Sequence, residues 1–315
     1  MLCRAVPAEG IHLTALREVT SSPALDAPVR ARLSRHEDPA RLGALLVDLP
    51  YFHRFTVEVM RYVAKLPPRP SAWGAALHTG GAVQLLTELT LVARRDRDDA
   101  VAAITLGLAS HLSIDRALHP LVNSLARRHP AGKNHDASHR EVEKFQSICF
   151  HESYMGRDLM GTSAITGYLE IPALARLDEP RLSAQVRQAW TAALGSAPSA
   201  GELSGFGRGY RAHIRLIGWP VGKRIAPAAA KDAARPRYLH GAWGTFASAL
   251  SAAVTESART LNAVAAVLDA EAKDLAGALA ALHAILPPGT IDPPGDEQTL
   301  ERPFTPRLGD SQAPS

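Results

Sequence analysis

Residues 104–119 read Ile104-Thr105-Leu106-Gly107-Leu108-Ala109-Ser110-His111-Leu112-Ser113-Ile114-Asp115-Arg116-Ala117-Leu118-His119. Apolar positions recur here at three and four, the period of a helix. His111, Asp115 and His119 follow one another at intervals of four. Residues at that interval share a helix face, with Cβ atoms about 5–6 Å apart. The neighbours Ile104, Leu106, Leu108 and Ala109 mark a helix that is buried. Ionisable groups on a buried helix must be paired or bound to a metal. A second couple, His139 and Glu143, repeats the spacing of four. Between the two lies the loop His129-Pro130-Ala131-Gly132-Lys133-Asn134. So short a connection makes the flanking helices antiparallel neighbours, and their ligand faces can meet.

Helix geometry divides these five side chains. His111 and His119 stand eight residues apart, about 12 Å along an axis that rises 1.5 Å per residue. That is a long reach for one ion with Zn–N distances of about 2.0–2.1 Å. Asp115 lies midway and has two oxygens. The simplest arrangement gives His111 and Asp115 to one metal and joins His119 to His139 and Glu143 on a second.

Outward from this stretch the helical period persists, near residues 11–20, 39–65, 72–95, 98–128, 137–160, 180–195 and 241–285. Alternating β-branched runs are scarce, so the expected fold class is all-α, with little or no sheet. Pro67-Pro68-Arg69-Pro70 breaks one helix from the next. Residues 161–178 read as irregular and the Gly- and Ser-rich 196–209 as a loop. Residues 219–238, with Lys223, Arg224, Lys231, Arg235 and Arg237, read as a basic linker. This divides the chain into a helical domain over 1–218, the linker, a C-terminal helical segment over 239–286 and a disordered Pro-rich tail over 287–315.

Composition narrows the function. Only Cys3 and Cys149 are present, too few for a disulfide framework or a cysteine-based zinc knuckle. A net charge of +4 in 315 residues suits anionic substrates or surfaces without demanding nucleic acid. The N-terminal stretch lacks an apolar core long enough for a secretory leader. No run reaches the ~18 apolar residues of a membrane span. A cytoplasmic protein without a transmembrane segment is the expectation.

A catalytic multinuclear site needs further ligands from the N-terminal half, where His12, His36, Asp48, His53 and His78 are available. Asp48 ends the apolar run Gly43-Ala44-Leu45-Leu46-Val47 before Pro50, as a helix cap, a metal bridge or a general base. His78 sits among Gly74, Gly80 and Gly81, small neighbours that permit close approach. Taken singly, each is more often a hydrogen-bonded structural residue.

The order His12, Asp48, His78, His111, Asp115, His119, His139, Glu143 resembles the zinc-dependent phospholipase C family, related to the S1/P1 nucleases. The Gly43–Asp48 element is similar to the family's early Gly-Ala-x-x-Pro-Asp element, with Val47 where proline is common. The segment Gly107–Pro120 resembles its central signature, and the likeness covers about residues 8–160. The resemblance implies an all-helical bundle with a cluster of two or three zinc ions that hydrolyses phosphate esters. Carried over, His78, His111 and Asp115 hold one zinc, and His119, His139 and Glu143 a second. Asp115 and His12 hold a third, and Asp48 orients or deprotonates the attacking water. Secreted members complete the third zinc with an N-terminal Trp, whereas the first Trp here is Trp73. The interval of four between Asp115 and His119 is also shorter than in the best-known secreted enzymes.

The leading expectation is a zinc-dependent phosphodiesterase acting on a phospholipid, with peripheral membrane contact. A P1-type nuclease shares the metal logic but needs aromatic platforms for bases, and aromatics make up only 5% of the chain. A non-catalytic helical binding protein stabilised by metal is the rival from another class. The adjacent His135-Asp136 pair raises an HD-type phosphohydrolase, a weaker reading because the pair sits in a polar loop.

Overall fold

The computed structural model describes residues 9–294 except 68, 70, 129–134 and 241–242, and leaves out the side chains of residues 136, 240 and 243–245. The described residues form fourteen α-helices and no strand. In chain order these are α1 (Glu9–Ser21), α2 (Ala27–Arg35), α3 (Glu37–Gly43), α4 (Phe55–Val63), α5 (Ala72–Ala76), α6 (Ala82–Asp96), α7 (Asp99–Arg127) and α8 (His135–Met155). Then follow α9 (Ser163–Leu169), α10 (Pro180–Leu194), α11 (Ala200–Gly218), α12 (Ala228–Arg235), α13 (Trp243–Asp269) and α14 (Leu275–Ile285).

Helix α7 is the hub, and α1, α3, α6, α8 and α13 pack against it. It starts where the Asp98 carboxylate accepts from the backbone N–H groups of Ala100 and Val101, at 3.1 and 3.2 Å. This cap satisfies donors that the first turn leaves orphaned. From Val101 to Asp115 every residue is buried, as the apolar run requires. Among the described residues α7 alone is long and apolar enough to cross a membrane; its burial by other helices makes it a core helix.

Two glycines bring α3 against α7. A Cβ on Gly43 would lie 1.9 Å from the Ile104 carbonyl oxygen, and one on Gly107 1.9 Å from that of Ala40. The two backbones touch, so no larger side chain fits at either position. The contact sets Ala44 beside His111 and delivers the next turn, with Asp48, to the same place.

Several segments differ from their sequence reading. The Gly- and Ser-rich 196–209 was expected to be a loop, yet α11 begins at Ala200. Ser199 and Glu202 start it with a reciprocal capping box. Gly209 serves as a packing notch: a Cβ there would lie 1.8 Å from the Phe52 carbonyl oxygen. Residues 161–178, read as irregular, contain α9 and a 3₁₀ turn at Pro172–Asp178. In the region read as a basic linker, Pro220–Arg224, α12 and Pro236–His240 are helical, and Lys231 and Arg235 pair with Glu152 of α8. Helix α13 lies along α7 and turns into α14. The chain then runs back across α7, burying Leu286 and Ile291. Residues 295–315 of the expected tail lie outside the described residues, as does the loop of residues 129–134 between α7 and α8.

Candidate metal centre

All eight predicted ligands converge along one side of α7. Helix α8 returns antiparallel to it, which matches His139 to Asn123 and Glu143 to His119. Helix α1 supplies His12, the turn after α3 supplies Asp48, and a π-helical turn at Leu77–Gly81 supplies His78. Such widened turns recur at functional sites because they re-aim a side chain out of helical register.

Asp115 is the centre of the row. Its Oδ2 is 2.9 Å from His111 Nε2. Its Oδ1 is 3.3 Å from His12 Nε2 and 3.8 Å from His119 Nε2. Toward one end, Asp48 Oδ1 is 3.3 Å from His78 Nε2. Toward the other, Glu143 Oε1 lies 3.3 Å from His119 Nε2 and 3.2 Å from His139 Nε2. Three groups have ligand atoms within 4.8 Å of one another: Asp48, His78 and His111; His12, His111 and Asp115; His119, His139 and Asp292. Asp48 thus stands with His78 and His111 as a ligand-type neighbour, where the resemblance put Asp115.

The hydrogen bonds fix which nitrogen each imidazole offers. His78 Nδ1 donates to the Gly74 carbonyl at 2.9 Å, and His111 Nδ1 to the Ala44 carbonyl at 2.7 Å. His119 Nδ1 donates to the Ile291 carbonyl at 3.0 Å, and His139 Nδ1 to Asn123 Oδ1 at 2.8 Å. A neutral imidazole whose Nδ1 carries the proton has its lone pair on Nε2. All four Nε2 atoms are turned to carboxylate oxygens, so lone pair faces lone pair unless a cation lies between them. His111 Nε2 is buried and, though close to Asp115, finds no hydrogen-bond partner among the described residues. His151 is the contrast. Its Nδ1 donates to the Ser147 carbonyl at 2.6 Å and its Nε2 lies 2.9 Å from the Thr14 hydroxyl, so its partners are neutral groups rather than carboxylates.

Without metal, protons must serve as the cations. Burial opposes charge on His111, but Asp115 and Asp48 outweigh it and push the imidazole up to about 9. Burial likewise opposes charge on His119, where Asp115 and Glu143 prevail and raise it to about 10. His78 and His139 are raised against burial by Asp48 and Glu143 respectively. Burial favours the neutral acid at Asp115 and Glu143, yet the surrounding imidazoles hold both well below the usual carboxylate range. His12 goes the other way: burial, then the neighbouring His111, lowers it to about 4 and keeps it neutral.

The donor set fits zinc. Imidazole and carboxylate are its usual ligands, and atoms about 2.0–2.1 Å from one tetrahedral ion stand roughly 3.3 Å apart, the spacing seen at most of these pairs. Outer partners that hold the far nitrogen of a ligand histidine are the normal second layer of such sites. Tyr51 also borders the cluster, with its hydroxyl 3.3 Å from His78 Nδ1.

Sequence reasoning missed Asn123 and Asp292. Asn123 had a signal, standing four residues after His119 on the ligand face. Asp292 had none, being an acid in a Pro-rich stretch. The other N-terminal candidates stand outside the three groups: His36 ends α2, and His53 packs near Phe206. His135 is exposed at the start of α8, and the side chain of its neighbour Asp136 lies outside the described residues. No family model, curated protein or solved structure matches the chain.

Proposed function

We propose that the chain is a zinc-dependent phosphoesterase that cleaves a phosphodiester in a phospholipid, in the manner of a phospholipase C. The observation that carries this reading is the run of four Nε2 lone pairs, each turned on a carboxylate and each held from behind by an oxygen acceptor. His151, outside the row, meets only neutral partners instead.

Zinc ions held there would make water acidic and neutralise phosphoryl oxygens. The residues themselves divide the remaining work. Asp115 spans the two halves of the row with its two oxygens and keeps them at fixed separation. Asp48 is the carboxylate at the half-open Asp48–His78 end. Burial works against its charge, but His111 and His78 hold its acid below the usual range. It is therefore ionised and able to accept a proton from a water at Oδ1 or to orient that water. His12, neutral at physiological pH, offers a lone pair without first losing a proton.

The lipid part of the proposal rests on residues 49–77, which leave the site at Asp48 and return to it at His78. This excursion carries α4, whose outer face consists of Thr56, Val57, Met60, Val63 and Ala64, all exposed. Exposed Arg54 and Lys65 stand at its two ends. An apolar helix face between cations suits an anionic bilayer interface. The sparse aromatic content weighs against the nuclease alternative.

The test is hydrolysis of p-nitrophenylphosphorylcholine and of single-stranded DNA with and without chelator. Chelator-sensitive release of p-nitrophenol, lost in Asp48→Asn, is the expected result. Digestion of DNA alone would transfer the reading to a nuclease, and zinc binding without turnover of either would leave a binding protein.

A further inference from the structure

The segment after α14 makes more polar contacts with the metal-ligand row than an incidental crossing needs. The Thr290 hydroxyl and the Ile291 N–H both donate to the His78 carbonyl, at 3.0 and 3.3 Å. Arg116 of α7 donates to the Pro287 carbonyl. The Ile291 carbonyl accepts from His119 Nδ1, and Asp292 Oδ1 lies 3.4 Å from the same nitrogen. Asn123 Nδ2 donates to Asp292 Oδ1 at 2.7 Å and to the Pro293 carbonyl at 2.9 Å, while its Oδ1 holds His139. The Ile291 side chain is fully buried and anchors the crossing.

We infer that residues 287–294 form a metal-linked clip: Asp292 and the Ile291 carbonyl fix His119 from behind, and Asn123 passes the same hold to His139, so the segment docks more firmly when an ion occupies the His119–His139–Glu143 position and that ion binds tightly only while the segment is docked. The inference rests on the metal-centre reading and adds a regulated step to it. A carboxylate behind a ligand histidine fixes the ring's tautomer and makes its free nitrogen a better donor. Here that carboxylate is delivered by a chain segment rather than by a packed helix. Linkage then requires reciprocity: whatever docking adds to ion affinity, the ion adds to docking. Asp292, though its oxygen is within 4.8 Å of ligand atoms of His119 and His139, is a positioning residue in this scheme because it meets His119 at Nδ1, the nitrogen turned away from Glu143.

The experiment compares the full wild-type chain with Asp292→Ala and Asp292→Asn. Zinc affinity is measured by competition with a chromophoric chelator, and hydrogen exchange of residues 289–292 is followed with and without zinc. The expected result is that one zinc binds roughly 10–100-fold more weakly in Asp292→Ala, the range seen when outer partners of metal ligands are changed, with the other ions unaffected. Asp292→Asn, which keeps an acceptor oxygen but not the charge, falls between. In the wild type, zinc slows exchange at the Ile291 amide, and Asp292→Ala removes the slowing. Asp292 is 41% exposed, so neither replacement leaves a cavity in the core. Unchanged zinc affinity in Asp292→Ala, or an Ile291 amide indifferent to zinc, would overturn the clip and leave the metal centre standing. A wild-type chain that binds no zinc would instead overturn the metal centre, and the clip with it.

Discussion

At the His111 end of the row, the imidazole of His111 hangs from the Ala44 carbonyl, and α3 and α7 meet there backbone to backbone through Gly43 and Gly107. His12 stacks on His111 with ring centroids 3.8 Å apart, and His12, His111 and Asp115 are all buried. At the His119 end, Glu143 and His139 keep side-chain exposures of 21% and 14%, and the holding groups come from the segment after α14. The first end is shaped mainly by helix packing, though His78 and Asp48 keep exposures of 17% and 18% and the His78 carbonyl accepts from Thr290 and Ile291. The second is completed by residues 291–293, which reach it from the segment after α14 rather than from a packed helix. Ions bound at the two ends should therefore differ in affinity and in exchange rate.

The largest effect that would break this contrast is expected from Asp115→Asn, because Asp115 touches both ends. It should remove more than one zinc and lower turnover by more than the roughly 10–100-fold typical of an outer partner; elemental analysis beside the p-nitrophenylphosphorylcholine assay measures both. His139→Ala should remove a single ion and leave the His111 end loaded. Loss of all zinc in that variant would show that the two ends are not separable. Gly107→Ala forces α3 off α7, an overpacking expected to lower stability by about 1–3 kcal/mol, read as a denaturant midpoint. It should weaken zinc at the His111 end alone.

The pH response sharpens the same comparison. His111 and His119 have folded values of about 9 and about 10, above the ~6.5 of an unfolded histidine. The stabilisation these protons provide is complete below about pH 6.5 and is lost as pH rises toward 10. Chelated protein should therefore melt at progressively lower temperature from pH 6.5 to 10. Zinc competes with those protons and binds better as they leave, so loaded protein should be protected increasingly over the same interval. Parallel melting curves with and without chelator would count against shared use of these nitrogens. The smallest effect is expected at the surface: Met60→Glu with Val63→Glu should reduce partitioning to anionic vesicles by about tenfold while leaving zinc content intact.

Much of the centre was legible because helical period converts sequence distance into direction. His111 with Asp115, and His139 with Glu143, could be paired from their spacing alone. His12, Asp48 and His78 lie on separate elements, where no local rule links them; only the order of motifs pointed to them. Asp292 was hidden because contact between the segment after α14 and α7 depends on the whole path of α13 and α14. The misread loop at 196–209 has a related cause. Glycine lowers helix propensity, and at Gly209 tertiary contact overrides it, since only a bare Cα lets α11 reach the Phe52 carbonyl.

The excursion of residues 49–77 begins beside one candidate ligand, Asp48, and ends beside another, His78. Those two side chains stand 3.3 Å apart while the chain between them reaches out to α4. Its ends are thus tied together like the legs of tweezers, with the exposed helix as the grip. In the proposed reading, a load on α4 would therefore reach the Asp48–His78 pair through a loop closed at both ends.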